Sequence, residues 1–191
     1  MQFAEVIEKR RAVREYTDRP VERLAVERLI HTAIQAPSAM NLQPWAFAVL
    51  LNRERVHECG ERAKSWLLAN FEQTPFARTS ESGRMRQILE DKERLLFYRA
   101  PALVIVLATS ADPQAAEDCC LAAENLMLSA RSEGMGSCWI GFSRPWLDLP
   151  TTKRELKIPE AYHVVAPILL GYPKTWPEPH ERKPAEIHWL S

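Results

Sequence analysis

Apolar positions near the start of the chain recur at intervals of three and four. Phe3, Val6 and Ile7 predict a short helix over residues 2 to about 10. Val26, Leu29, Ile30, Ala33 and Ile34 form one stripe of a second helix over residues 21–35, with Glu22, Glu27 and Arg28 off it. Residues 16–20 (YTDRP) read as a turn between the two. Pro37 ends the second helix, because the residue before a proline is pushed out of the helical region. The apolar run AFAVLL at 46–51 then predicts a strand, and 53–70 a helix weakened by Gly60. Residues 71–83 lack periodicity, which leaves Phe71 and Phe76 as ordinary packing residues or as parts of a lid or pocket wall. Met85, Ile88, Leu89, Leu95 and Leu96 predict a helix over 84–98.

The second half alternates more sharply. ALVIVLA at 102–108 is a continuous aliphatic run, as in a central strand covered on both faces. Asp112 and Pro113 open a helix that runs to Gly134, the aspartate as N-cap and the proline in the first turn. That helix is apolar around most of its circumference, so it is buried in a core or between subunits. SCWIGF at 137–142 reads as a short strand, 144–150 as a loop and 151–157 as a charged helix. YHVVAPILL at 162–170 is another strand, in which Pro167 argues for an edge or a bulge. From Gly171 onward Pro173, Pro177, Pro179 and Pro184 disfavour helix and predict an extended arm. Its Trp176, Ile187, Trp189 and Leu190 need something to pack on.

Strands mixed with many helices, without regular βαβ alternation, give an α+β (mixed α/β) class with a helix-rich periphery. At 191 residues the chain is most simply one domain. A formal net charge of zero provides no electrostatic case for nucleic acid or an anionic membrane. No apolar stretch approaches the roughly 20 residues of a membrane span. The N-terminal stretch is amphipathic and charged early, unlike a secretory signal. Cys59, Cys119, Cys120 and Cys138 are too few for a disulfide scaffold, and neither they nor His57 show metal-ligand spacing. The expectation is a cytoplasmic protein with reduced, structural thiols.

Two stretches concentrate candidate chemistry. KRRAVR at 9–14 would place Arg10 and Arg14 four apart on one helical face, as a solvated basic end or as an anion site suited to phosphate. APSAMNLQPW at 36–45 presents Ser38, Asn41 and Gln43 between prolines, as ordinary turn residues or as binding groups. There is no glycine-rich phosphate loop, nucleophile elbow or HExxH pattern. That lack suits an enzyme whose cofactor carries the chemistry.

Taken in order, four segments resemble the nitroreductase-like FMN-dependent oxidoreductases. RRAVR (10–14) resembles the opening motif, in which Arg10, Arg11 and Arg14 would grip the FMN phosphate. Ala12 stands where the family commonly has a hydroxyl residue. APSAMNLQPW resembles the second motif, in which Pro37, Ser38, Ala39 and Asn41 would contact flavin, often from the partner subunit. GSCWIG (136–141) resembles the strand-end motif, whose backbone near Ile140 and Gly141 would lie beside the flavin ring. GYP (171–173) followed by Arg182, Lys183 and Pro184 resembles the C-terminal motif, in which Arg182 would return to the phosphate. Residues 52–100 are not constrained by these motifs.

The resemblance implies a central, mostly antiparallel sheet surrounded by helices, a homodimer with flavin at the subunit interface and NADH or NADPH as reductant. A small electron-poor acceptor, nitroaromatic or quinone, would be reduced by a ping-pong mechanism. No side chain is implied as catalytic. It leaves open a flavin-binding sensor or storage protein without turnover, and a dehalogenating or flavin-fragmenting relative.

Overall fold

A computed structural model describes residues 2–190. Its strands are β1 (Trp45–Leu50), β2 (Ala102–Ala108), β3 (Gly136–Trp139) and β4 (His163–Gly171). They form one sheet in the order β1-β2-β4-β3, with every neighbouring pair antiparallel. Among the described residues seven α-helices surround it: α1 (Phe3–Lys9), α2 (Arg23–Ala33), α3 (Arg53–Ala69), α4 (Ser82–Glu90), α5 (Pro113–Ser132), α6 (Arg144–Leu147) and α7 (Pro150–Glu155). This is the expected α+β architecture. No helix among the described residues is long and apolar enough to cross a membrane.

The aliphatic run of β2 lies between β1 and β4 with all its residues buried, and its side chains alternate between two cores. Val104 and Val106 face Leu29 of α2 and Leu126 of α5. Leu103, Ile105 and Leu107 face the other way, toward Val56 and Leu67 of α3. α5 is covered because it lies on one of these cores, and Asp112 caps it by accepting from the Gln114 N–H at 3.0 Å. α3 runs unbroken through Gly60, its buried side fixed by Val56, Ala63 and Leu67.

Three element boundaries differ from the sequence expectation. α4 stops at Glu90, so Leu95 and Leu96 pack from an irregular segment in which Tyr98 and Arg99 take left-handed φ values of 50° and 52°. Lys64 holds that segment, its ammonium donating to the carbonyls of Asp91 and Arg94 at 2.6 and 2.7 Å. Residues 144–147, expected as loop, form the single turn α6. β3 ends at Trp139, and the chain turns at Gly141–Ser143 into a 3-10 turn.

Pro167 is not on an edge strand. It lies within interior β4, opposite Ile105 of β2. The ladder also shifts register beside it, between Val106 and Leu107, so that consecutive Val165 and Ala166 both belong to the core under α2 and α5. The proline is tolerated because its other neighbour, β3, has run out. The Ile140 N–H still donates to the Pro167 carbonyl at 2.8 Å. The reciprocal bond is missing, and the Ile140 carbonyl accepts instead from the Ser143 N–H at 3.1 Å and hydroxyl at 2.8 Å.

Candidate functional site

Residues 10–14 are extended, which corrects the expected helical pairing of Arg10 with Arg14. The reason is the free edge of β3: the Val13 N–H donates to the Ser137 carbonyl at 2.9 Å, and Ala12 pairs with Ser137 in a parallel bridge. Gly136 permits the approach, since a Cβ there would sit 2.6 Å from a Val13 methyl. Ladder bonding to an open strand outweighs the few tenths of a kcal/mol by which local helix propensities differ.

The extended segment still brings the expected arginines together. Arg10, Arg11 and Arg14 line one cavity of about 490 Å³, with His180 and Arg182 of the arm on its far side. Arg10 is partly neutralised by Glu124, 3.2 Å from its Nε. Arg11 is not: its Nε is buried without a partner among the described residues, while its Nη1 donates to the Arg10 carbonyl. A buried guanidinium donor without an acceptor costs about 1–3 kcal/mol or more, a cost that an entering anion would remove. Nearby Arg131 stacks 3.5 Å from the Trp176 ring. Burial lowers the Arg131 pKa, with Glu5 opposing the shift and Arg11 adding to it. Ala12 lines the same cavity and offers no hydroxyl.

Arg14 also lines a second cavity of about 410 Å³, formed by the end of β3 through Phe142, by α4 and by the irregular segment after it. The Ile140 N–H is committed to Pro167 and is not free to meet a ligand, which narrows the expectation for residues 140–141. Among the described residues no acceptor meets the Gly141 N–H, as at the first residue of any helical turn. A Cβ on Gly141 would touch nothing within 4 Å. The glycine is therefore not required by the protein's own packing. Burial raises the Cys138 thiol pKa, with Arg14 opposing, so this lining cysteine is a poor nucleophile.

The loop carrying Pro37, Ser38, Ala39 and Asn41 lines neither cavity. Ser38 Oγ accepts from the Gln43 N–H at 3.0 Å, and Gln43 Nε2 donates to Asn41 Oδ1 at 3.0 Å. Met40, Asn41 and Gln43 hold left-handed φ values of 50°, 55° and 49°, and Met40 is 92% exposed. Such conformations cost about 1–3 kcal/mol each and persist only when something holds them. Asp118 of α5 does so, its buried carboxylate accepting from the Ala39 N–H at 3.2 Å. Sequence reading passed over Asp118, although it falls on the apolar stripe of α5 with Ala115 and Ala122, where an acidic residue is costly unless bonded.

Residues 7–172 match the Nitroreductase family. A relative from Archaeoglobus fulgidus, provisionally named an NADH dehydrogenase/NAD(P)H nitroreductase, is 30% identical over 177 residues, covering 88% of this chain and 84% of its own. A Streptococcus pyogenes relative, provisionally named an NAD(P)H nitroreductase, is 30% identical over 204 residues and 97% of each chain. A nitroreductase from Bacteroides fragilis, solved with bound FMN, superposes with a TM-score of 0.81 at 27% identity, covering 100% of both chains. The family match, the relatives and the superposed fold agree, and this chain belongs to the nitroreductase family.

Proposed function

We propose that this chain is an FMN-dependent oxidoreductase that takes hydride from NADH or NADPH and passes it to an electron-poor acceptor, nitroaromatic or quinone, in alternating half-reactions. The observation that carries the reading is the convergence of Arg10, Arg11, Arg14 and Arg182 on one cavity that adjoins, through Arg14, a second cavity at the end of β3. The unpartnered Arg11 Nε makes the first cavity fit a phosphate. FMN, when bound, would supply the two-electron chemistry for which no side chain is proposed.

The residues' own work is binding and orientation. The arginines would hold the phosphate and so fix the position of the attached ring. The Gly141 N–H would donate to the ring edge, with no side chain to keep the backbone at a distance. Pro37, Ser38, Ala39 and Asn41 would contribute from a second copy across a homodimer interface. Their place on an exposed, strained loop outside both cavities supports that arrangement. For a nitro acceptor the balance is one hydride from NADH or NADPH plus one proton, converting the nitro group to nitroso and releasing water.

The test is a spectrum of the purified protein followed by anaerobic NADH or NADPH. A yellow protein that bleaches rapidly and recovers its colour with a nitroaromatic or quinone is the expected result. A yellow protein that neither dinucleotide bleaches is a flavin carrier, and a colourless one that takes up no FMN overturns the reading.

A further inference from the structure

The second cavity has an uneven charge. Its apolar surface comes from Met85, Ile88, Leu95 and Phe142, while Arg14, Lys64, Arg84 and Arg94 are its cations and Glu81 its one carboxylate. Glu81 is 3.8 Å from Arg84, a long and exposed contact that neutralises little. No described carboxylate lies within ion-pair distance of Arg14 or Arg94. Arg14 instead lies 5.9 Å from the Tyr98 ring centre. Arg94 is held at this cavity by the Lys64 clamp on its own carbonyl. α4 and the segment after it thus place an excess of positive charge beside an apolar wall.

We propose that this cavity selects an acceptor carrying a carboxylate on an apolar, aromatic body, the carboxylate paired with Arg94 and Arg84 and the ring on Met85, Ile88 and Phe142. A guanidinium fork matches a carboxylate in a bidentate way, and the apolar wall gains from covering a ring. The inference rests on the oxidoreductase reading only in treating the ligand as the acceptor. The phosphates of the reducing dinucleotide are the other anion that these cations could meet, and the experiment separates the two.

Two measurements on the flavin-loaded protein test it. Benzoate, an anion that cannot be reduced, is titrated by calorimetry against benzamide, its neutral counterpart. Benzoate is expected to bind more tightly, to weaken as salt is raised, and to lose about ten-fold or more in R94A and in R84A. In steady state, the ratio of kcat/KM for 4-nitrobenzoate to that for nitrobenzene is expected to fall about ten-fold in the same variants, with Arg94→Lys recovering part of it. A ratio that stays at its wild-type value, or benzoate binding no tighter than benzamide, overturns the inference. So does a loss in these variants confined to kcat/KM for NADH or NADPH, which assigns the cations to the dinucleotide. A protein that neither dinucleotide reduces overturns the function proposed above instead, and the benzoate titration still decides this one.

Discussion

The carboxylate of Asp118, 4% exposed on α5, accepts the backbone N–H of Ala39 at 3.2 Å and so pins the loop between α2 and β1. A charged acceptor is thereby spent on a main-chain donor next to a run of left-handed residues. Removing it in Asp118→Ala should cost about 1–3 kcal/mol, read by urea denaturation. Asp118→Asn keeps an oxygen acceptor and should lose less. FMN and riboflavin should weaken alike, because the loop does not meet the phosphate cavity. Equal denaturation midpoints for wild type and Asp118→Ala would show that the loop holds itself.

Arg14 lines both cavities. Arg14→Ala should therefore reduce FMN affinity more than riboflavin affinity, by roughly ten-fold or more for a lost charge-assisted bond. Fluorescence titration of both flavins checks this. Equal weakening would mean that Arg14 acts through folding.

Gly136 and Gly141 bracket the same short segment but should respond oppositely to alanine. At Gly136 the new methyl would meet Val13 at 2.6 Å, so the variant should lose stability by about 1–3 kcal/mol from overpacking. At Gly141 it would meet no protein atom, so melting without flavin should be unchanged while FMN affinity falls. Intact FMN binding in Gly141→Ala would remove the backbone around residue 141 from the flavin site.

Burial pushes the Cys119 thiol pKa up to about 12 from an ordinary 9.0, and also raises Cys59, Cys138 and Tyr16. Each group holds its proton more tightly when folded. Their contribution to stability is present below about pH 9 and is lost as pH rises toward the folded values. Denaturation midpoints should thus fall from pH 9 upward, and Cys119→Ala should flatten that fall. At pH 8 the exposed Cys120 should be alkylated well before Cys119. Faster labelling of Cys119 would contradict its burial.

Ile187, Trp189 and Leu190 at the end of the arm are 61%, 87% and 96% exposed on a single chain. Apolar side chains gain about 25 cal/mol per Å² on burial, and in the homodimer proposed above the second copy would cover them. Deleting residues 185–191 should shift the protein from dimer toward monomer in light scattering and lower FMN occupancy in parallel. A truncated protein that remains dimeric and fully yellow would leave the arm without that role.

Much of this was legible wherever a local cause sufficed. ALVIVLA reads as a covered strand and Asp112–Pro113 as a helix start, and both are found. Sequence failed where a distant partner decided. Residues 10–14 are helical by local preference and extended because β3 offers an open edge. The helix expected through Tyr98 ends at Glu90, and Lys64 of α3 holds the chain that follows. Arg10 and Arg14 were expected as a helical pair, yet an extended backbone gathers them with Arg11 at one cavity. Asp118 went unread because its role lies in a bond to a loop 79 residues away.

Pro167 has a consequence for how the chain can change. Sheets grow by exchanging paired amide bonds, and at this point one hydrogen is missing from the exchange. The pairing of β3 with β4 therefore ends on the single bond from the Ile140 N–H, and the N–H and hydroxyl of Ser143 occupy the Ile140 carbonyl left over. Pro167→Ala, which restores that hydrogen, should let the Ile140 carbonyl pair with β4 in place of Ser143, read as protection of the new residue-167 amide from hydrogen exchange. Such a variant would gain order at the end of β3 at the expense of the half-buried turn at Gly141 that lines the second cavity. A residue that weakens the scaffold thus keeps the end of β3 open.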